Sequence, residues 1–101
     1  MANNSMVKYG VEFLGTFIFL SVILSQGQAL PIAIALAAVI YFAGSISGGH
    51  MNPSVSILFH LKGDLSLTDF IFYVIAQMAG AALALYFFNN VVKNMKTTNV
   101  N

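Results

Sequence analysis

The sequence predicts an all-α membrane protein with three transmembrane helices and a fourth helix about half their length. Three observations carry this. Of the 101 residues, 58% are hydrophobic and 7% are charged, against roughly 25% charged in soluble domains. The apolar residues gather into three runs, over 7–25, 30–46 and 67–88, each near the roughly 20 residues that cross a hydrocarbon core. A fourth apolar run, 53–61, has only nine residues and opens directly after an asparagine, on a proline. A chain so poor in charge turns most of its surface to lipid, so its expected place is a membrane that it crosses several times.

Residues 1–6 are polar and are expected to be loose. The run "VKYGVEFLGTFIFLSVILS" over 7–25 has one lysine, Lys8, at its head, as a secretory signal does. It is long for a signal core, no small-x-small cleavage site follows it, and Glu12 interrupts it. It therefore reads as a retained transmembrane helix. "QGQALP" makes an uncharged turn, with Pro31 placed to start the next helix over 30–46. After the short run, Lys62, Gly63 and Asp64 form the clearest surface signal in the chain. Ser66, Thr68 and Asp69 are cap candidates for the helix over 67–88. Residues 89–101 form a polar tail, so 7–88 reads as one membrane unit with no internal repeat.

Composition also excludes functions. A net charge of +1 leaves no basic surface for a nucleic acid. With no cysteine, disulfides, thiolate metal sites and cysteine nucleophiles are absent. His50 has no carboxylate near it in sequence and His60 has only Asp64, four residues on, so neither a metal site, a cofactor site nor a catalytic residue is expected, and the chain does not read as an enzyme. Small residues recur four apart at Gly44 and Gly48, and again at Ala76, Gly80 and Ala84. In membranes this spacing lets helices approach closely, so these positions are expected to pack helices together. Tyr41, Phe42 and Tyr73 are expected to pack as well.

The stretch "SGGHMNPSVS" over 47–56 is the most informative in the chain. Asn52 suits an N-cap and Pro53 the first helical position. Nine residues at about 1.5 Å each reach about 14 Å, half of a core of roughly 30 Å. Such a helix lies on the surface as an interfacial turn, or dips in and stops at the midplane. In the second case its free backbone groups need partners in protein or a watery cavity. Its N-terminus then brings partial positive charge into the membrane, beside the free carbonyls of 47–51 and the amide of Asn52. That arrangement suits small neutral polar molecules and repels cations. Two intramembrane polar residues favour it: Glu12, near the start of the first run, and Gln77, in the middle of the third. Ionisable groups in a membrane are costly and are functional candidates. Either side chain has the chemistry to brace an irregular loop.

Three segments in order, "EFLGTF", "GSISGGHMNPSVS" and "YVIAQMAGAALA", resemble the major intrinsic protein family, the aquaporins and glycerol facilitators, whose loop usually reads SG-x-H-x-NPA-V. The match covers about Tyr9 to Tyr86. The resemblance implies half of an aquaporin-like fold: three transmembrane helices plus a re-entrant loop and half-helix over 47–61. It implies a channel for water or small neutral solutes. It places Asn52 as a midplane donor, Pro53 at the start of the half-helix, the carbonyls of Gly48, Gly49 and His50 along the pore, and Glu12 and Gln77 as braces of the loop. Half-helix dipoles in such a pore exclude cations. The chain departs from the family pattern at Ser54, where alanine is usual. It has Val55 after that, as first repeats do, and it contains no arginine. The aromatic filter position of the second helix falls at Ile32. The second repeat, with its own half-helix, is absent from these residues.

Three helices and one half-helix do not enclose the family's pore, so a partner is expected. The simplest is a second copy inverted in the membrane, an antiparallel homodimer with a two-fold axis in the membrane plane. Lysine flanks set topology. Lys8 and Lys62 fall on one side, Lys93 and Lys96 on the other, a balance that fits insertion both ways. The competing readings are a non-conducting half that packs with a related channel, and a fragment of a longer one.

Overall fold

The computed structural model describes residues 2–95, with side chains from Asn4. Four α-helices follow one another: α1 (Ala2–Gln26), α2 (Ala29–Ser47), α3 (Pro53–Lys62) and α4 (Leu67–Phe87). A π-helical turn, Phe88–Val92, extends α4, and the helix continues over 93–95. Three helices are long and apolar enough to cross a membrane: Asn4–Gln26, Ala29–Ser47 and Leu67–Met95. No β-structure occurs among the described residues.

Both outer helices exceed their apolar runs. Residues 2–6, expected to be loose, are the first turn of α1, and 89–95, expected to be tail, continue α4. The physical reason is the same at each end: nothing in "ANNSM" or "NNVVKNM" breaks a helix, and propagation costs little once a helix is nucleated. Side-chain amides support the far end, since Asn90 Nδ2 donates to the Tyr86 carbonyl at 2.8 Å and Asn94 Nδ2 to the Asn90 carbonyl at 3.1 Å. Residues 96–101, including Lys96, lie outside the described residues. Pro31 falls two residues inside α2, still in the first turn, where its missing N–H has no intrahelical partner to lose.

Helices α1 and α4 run parallel. Near their starts Tyr9 donates to Asp69 Oδ1 at 2.6 Å, Lys8 lies 3.5 Å from Asp69 Oδ2, and Tyr9 stacks on Phe72. Farther along, Phe17 meets Phe87 edge-on. Between these contacts the helices nearly touch at Gly80. A Cβ there would stand 2.7 Å from the Phe13 carbonyl oxygen and 3.1 Å from the Phe17 nitrogen. Helix α2 returns antiparallel to α1, bringing Val39 level with Gly15 and Ser47 level with Glu12. Lys8 and Lys62 therefore share one end of the bundle and Lys93 lies at the other.

Helix α3 packs antiparallel on the first half of α4. Ser56 bonds Gln77, and His60 stacks on Phe70 near the α4 start. The N-terminal end of α3 thus lies level with the middle of α4. Ten residues at about 1.5 Å give α3 about 15 Å. Gly63 caps its other end, donating to the His60 and Phe59 carbonyls, and Lys62 pairs with Asp64 at 2.6 Å on the surface.

Candidate functional site

The segment between α2 and α3 is shaped by backbone that side chains rarely adopt. Gly48 has φ +93°, Gly49 +65° and Met51 +57°. Glycine takes such angles freely, whereas Met51 does so at a cost of about 1–3 kcal/mol. Its surroundings hold it there. Its N–H donates to Glu12 Oε1 at 2.9 Å, Thr16 Oγ1 lies 3.8 Å from its sulfur, and its side chain fills the space left by Gly15 beside Val39. A Cβ on Gly15 would stand 2.8 Å from Val39 and 2.5 Å from the Met51 sulfur.

Glu12 is the centre of the site. It is fully buried, and both oxygens accept two hydrogen bonds. Oε2 takes the Ser47 hydroxyl at 2.7 Å and the His50 N–H at 3.0 Å; Oε1 takes the Met51 N–H and Gln77 Nε2, both at 2.9 Å. Two of the four donors are backbone groups of the loop. Gln77 does not reach loop backbone itself: its other Nε2 hydrogen goes to Ser56 Oγ at 2.9 Å. Tyr73, one turn before Gln77, donates to the Ser47 carbonyl at 2.6 Å. The network therefore ties α1, α4 and α3 to one loop. Gln77 Oε1 is buried without a partner among the described residues.

His50 is buried too. Its ring stacks on Phe59 at 4.9 Å and meets Tyr73 edge-on at 5.1 Å, and its Nδ1 lies 2.9 Å from Ser56 Oγ. The following residues turn outward. Asn52, Pro53 and Ser54 are exposed at the α3 tip. Asn52 Oδ1 caps the helix by accepting from the Ser54 N–H at 2.8 Å, which leaves its amide Nδ2 without a partner among the described residues.

The expected positions separate into groups. The loop and its braces, 47–56 with Glu12 and Gln77, form one site. Gly48 is exposed beside it, while Gly49 is buried against Ile40. Val55 is half-buried in the first turn of α3. Ile32 lies in the first turn of α2, seven residues and about 10 Å of helix before Val39, the level at which Met51 packs on α2. Of the small residues, Ala76, Gly80 and Ala84 are buried on one face of α4. Gly44 and Gly48 do not bring helices together here. A Cβ on Gly44 would meet nothing within 4 Å, and Gly48 serves the turn. Tyr41 and Phe42 are also unpacked, with 80% and 73% of their surface exposed, whereas Tyr73 is buried. Ser47, Ser56, Thr16 and Tyr73 were not singled out by sequence reasoning as site residues. Tyr73 was findable, because 73, 77, 80 and 84 share one helical face with Gln77.

Three crossing-length apolar helices around a polar, internally bonded loop define a multi-pass integral membrane protein. The chain belongs to the major intrinsic protein family, whose model matches residues 2–101. It is a family of membrane channels, not of enzymes. The chain is 41% identical over 88 residues to "Glycerol uptake facilitator protein-like 6" of Lactiplantibacillus plantarum, covering 78% of this chain and 41% of that protein. It is 40% identical over 85 residues to human "Aquaporin-9", covering 69% of this chain and 29% of that one. To "Probable aquaporin PIP-type pTOM75" of Solanum lycopersicum it is 33% identical over 99 residues, covering 80% of this chain and 35% of the relative. The chain thus spans less than half the length of these relatives. No solved structure matches it.

Proposed function

We propose that this chain supplies one half of a passive pore for water or small neutral solutes, and that an inverted second copy supplies the other half. The observation that carries the reading is the α3 tip. A helix too short to cross ends level with the middle of α4, and Asn52 there presents an uncommitted amide because its carbonyl oxygen is held as the cap. In a bilayer this sets one donor beside loop carbonyls and a positive helix end, near the midplane. Glu12 holds the loop from behind, so the hydrogen-bonding groups keep their places without bulk water.

A second half-helix is needed to close the path. An inverted copy related by a two-fold axis in the membrane plane brings the same groups from the opposite side. The lysines permit it: Lys8 and Lys62 lie at one end of the bundle and Lys93 at the other, and the sequence holds two lysines before and two after the third apolar run. Such a filter is symmetric and lacks arginine, so it discriminates less by hydrogen bonding.

The test is osmotic swelling of proteoliposomes holding the purified chain. Water flow is expected above that of empty liposomes. Asn52→Ala loses both donor and cap, the cap being worth about 1 kcal/mol. Asn52→Asp keeps a capping oxygen but has no donor. Both are expected to cut the flow about tenfold, the equivalent of one hydrogen bond of about 1.4 kcal/mol. Flow no higher than in empty liposomes would favour a non-conducting half that packs with a related channel. A carboxyl-terminal tag labelled from one side of the membrane only would exclude the inverted homodimer.

A further inference from the structure

The pore reading uses Asn52 and the loop backbone, and it leaves the buried side chain of His50 without a task. We infer that Ser56 is a positioning residue that holds His50 as the Nε2–H tautomer, through hydrogen bonds in which Gln77, anchored on Glu12, donates to Ser56 and Ser56 donates to His50.

The direction of these bonds follows from donor and acceptor counts. Glu12 Oε1 lies 2.9 Å from the Gln77 amide. An oxygen of Gln77 in that place would oppose an acceptor with an acceptor, so the amide presents Nε2. The second Nε2 hydrogen then points at Ser56 Oγ, also at 2.9 Å, and Ser56 accepts it. A hydroxyl carries one hydrogen of its own. Ser56 is fully buried, and the remaining acceptor in reach of its hydroxyl among the described residues is His50 Nδ1, at 2.9 Å. If Nδ1 carried a hydrogen instead, the Ser56 hydroxyl would be left as an unsatisfied buried donor, which proteins avoid. Ser56 therefore donates, Nδ1 accepts, and the imidazole hydrogen sits on Nε2. Three helices take part in setting one tautomer, as second partners do for histidines at other functional sites.

The other histidine is an internal contrast. His60 Nδ1 lies 2.8 Å from the Leu65 carbonyl oxygen. A carbonyl only accepts, so His60 carries its hydrogen on Nδ1. The two histidines of one small chain are fixed in opposite senses by their neighbours.

The result for His50 is a donor of fixed direction next to Gly48. A Cβ placed on Gly48 would stand 3.1 Å from His50 Nε2, and Gly48 is exposed. Nε2–H thus faces the loop edge that the pore reading places along the solute path. Only this last step rests on that reading; the tautomer does not.

The experiment is nitrogen-15 NMR of the full chain in lipid bilayers, labelled at histidine. At about pH 8, above the ordinary imidazole pKa of about 6.5, protonated and unprotonated ring nitrogens resolve as separate signals, and His60→Gln assigns them. The expected spectrum has His50 protonated at Nε2 alone and His60 protonated at Nδ1. Ser56→Ala is expected to shift the His50 signals to a mixture of both tautomers without moving those of His60. Ser56→Thr, which keeps the hydroxyl, is expected to retain the wild-type pattern. His50 protonated at Nδ1 in the wild type overturns the inference, and so does an Ser56→Ala spectrum identical to wild type. If Ser56→Ala does not fold, the wild-type spectrum still decides the tautomer. Liposome flow is read separately. The expected tautomer in a chain that does not conduct would end the pore reading and leave this one standing.

Discussion

Glu12→Gln is expected to destabilise the chain by about 3 kcal/mol or more. The carboxylate takes two donors on each oxygen: Met51 N–H and Gln77 Nε2 on one, the Ser47 hydroxyl and His50 N–H on the other. Glutamine keeps one acceptor and turns the other into an amide. Whichever way it lies, two former donors face an NH₂ group. Each buried donor left unsatisfied costs about 1–3 kcal/mol, and no water reaches a side chain with 0% exposure. The loss falls mainly on the loop, because His50 and Met51 N–H groups have no other partner there. The left-handed backbone of Met51 loses its support at the same time. Thermal unfolding in detergent micelles measures this, with Lys8→Met as the control. Lys8 pairs with Asp69 at a partly exposed site, where such pairs contribute about 0–1 kcal/mol. A Glu12→Gln midpoint no lower than that of Lys8→Met would show that the loop does not depend on the carboxylate.

Gly80→Ala is expected to force α1 and α4 apart, while Gly44→Ala is expected to be nearly silent. The added methyl at 80 would stand 2.7 Å from the Phe13 carbonyl oxygen, 3.1 Å from the Phe17 nitrogen and 3.2 Å from Thr16 Cβ. Two of these are backbone atoms of a helix and do not rotate away. Relief requires the α1–α4 seam to open, and overpacking of this kind costs about 1–3 kcal/mol. The seam carries more than packing. Glu12 and Gln77 face each other across it four residues from Thr16 and three from Gly80, so a shift there lengthens their bond. At Gly44 a methyl meets nothing within 4 Å, and alanine is the better helix former. The pair is compared by unfolding in micelles. Equal midpoints for the two variants would mean that the close crossing at Gly80 does not limit stability.

The fold was largely legible in the residues themselves. Crossing helices follow from the length and apolarity of three runs, and the short helix from Asn52, Pro53 and nine apolar letters. Helix ends were less legible. Residues 2–6 and 89–95 are polar, and polarity marks where lipid ends rather than where a helix ends. Within the site, Glu12 and Gln77 drew notice because polar groups in apolar runs are costly. Ser47 and Ser56 did not, since serine is ordinary both in loops and in membrane helices. Ile32, identified by its offset from Asn52, lies about 10 Å of helix from Val39, where Met51 packs on α2; counting along the chain gives its register on α2 and not the path it lines.

The small-residue series shows most clearly what each level decides. Gly44 and Gly48 have the same spacing as Ala76, Gly80 and Ala84, and the sequence by itself could determine only that each set leaves room for close approach. The tertiary structure decided which room is used. Gly80 meets the backbone of α1, because Glu12, Phe13 and Thr16 present that face of α1 to α4; Gly44 faces open space. The loop divides in the same way. Its residues determined that a short helix would start at Pro53 with Asn52 as its cap, since cap and first turn are local matters. Only the packed bundle placed Glu12 against the backbone amides of His50 and Met51, because those groups are 38 and 39 residues from it in sequence. No local preference carries information across that distance.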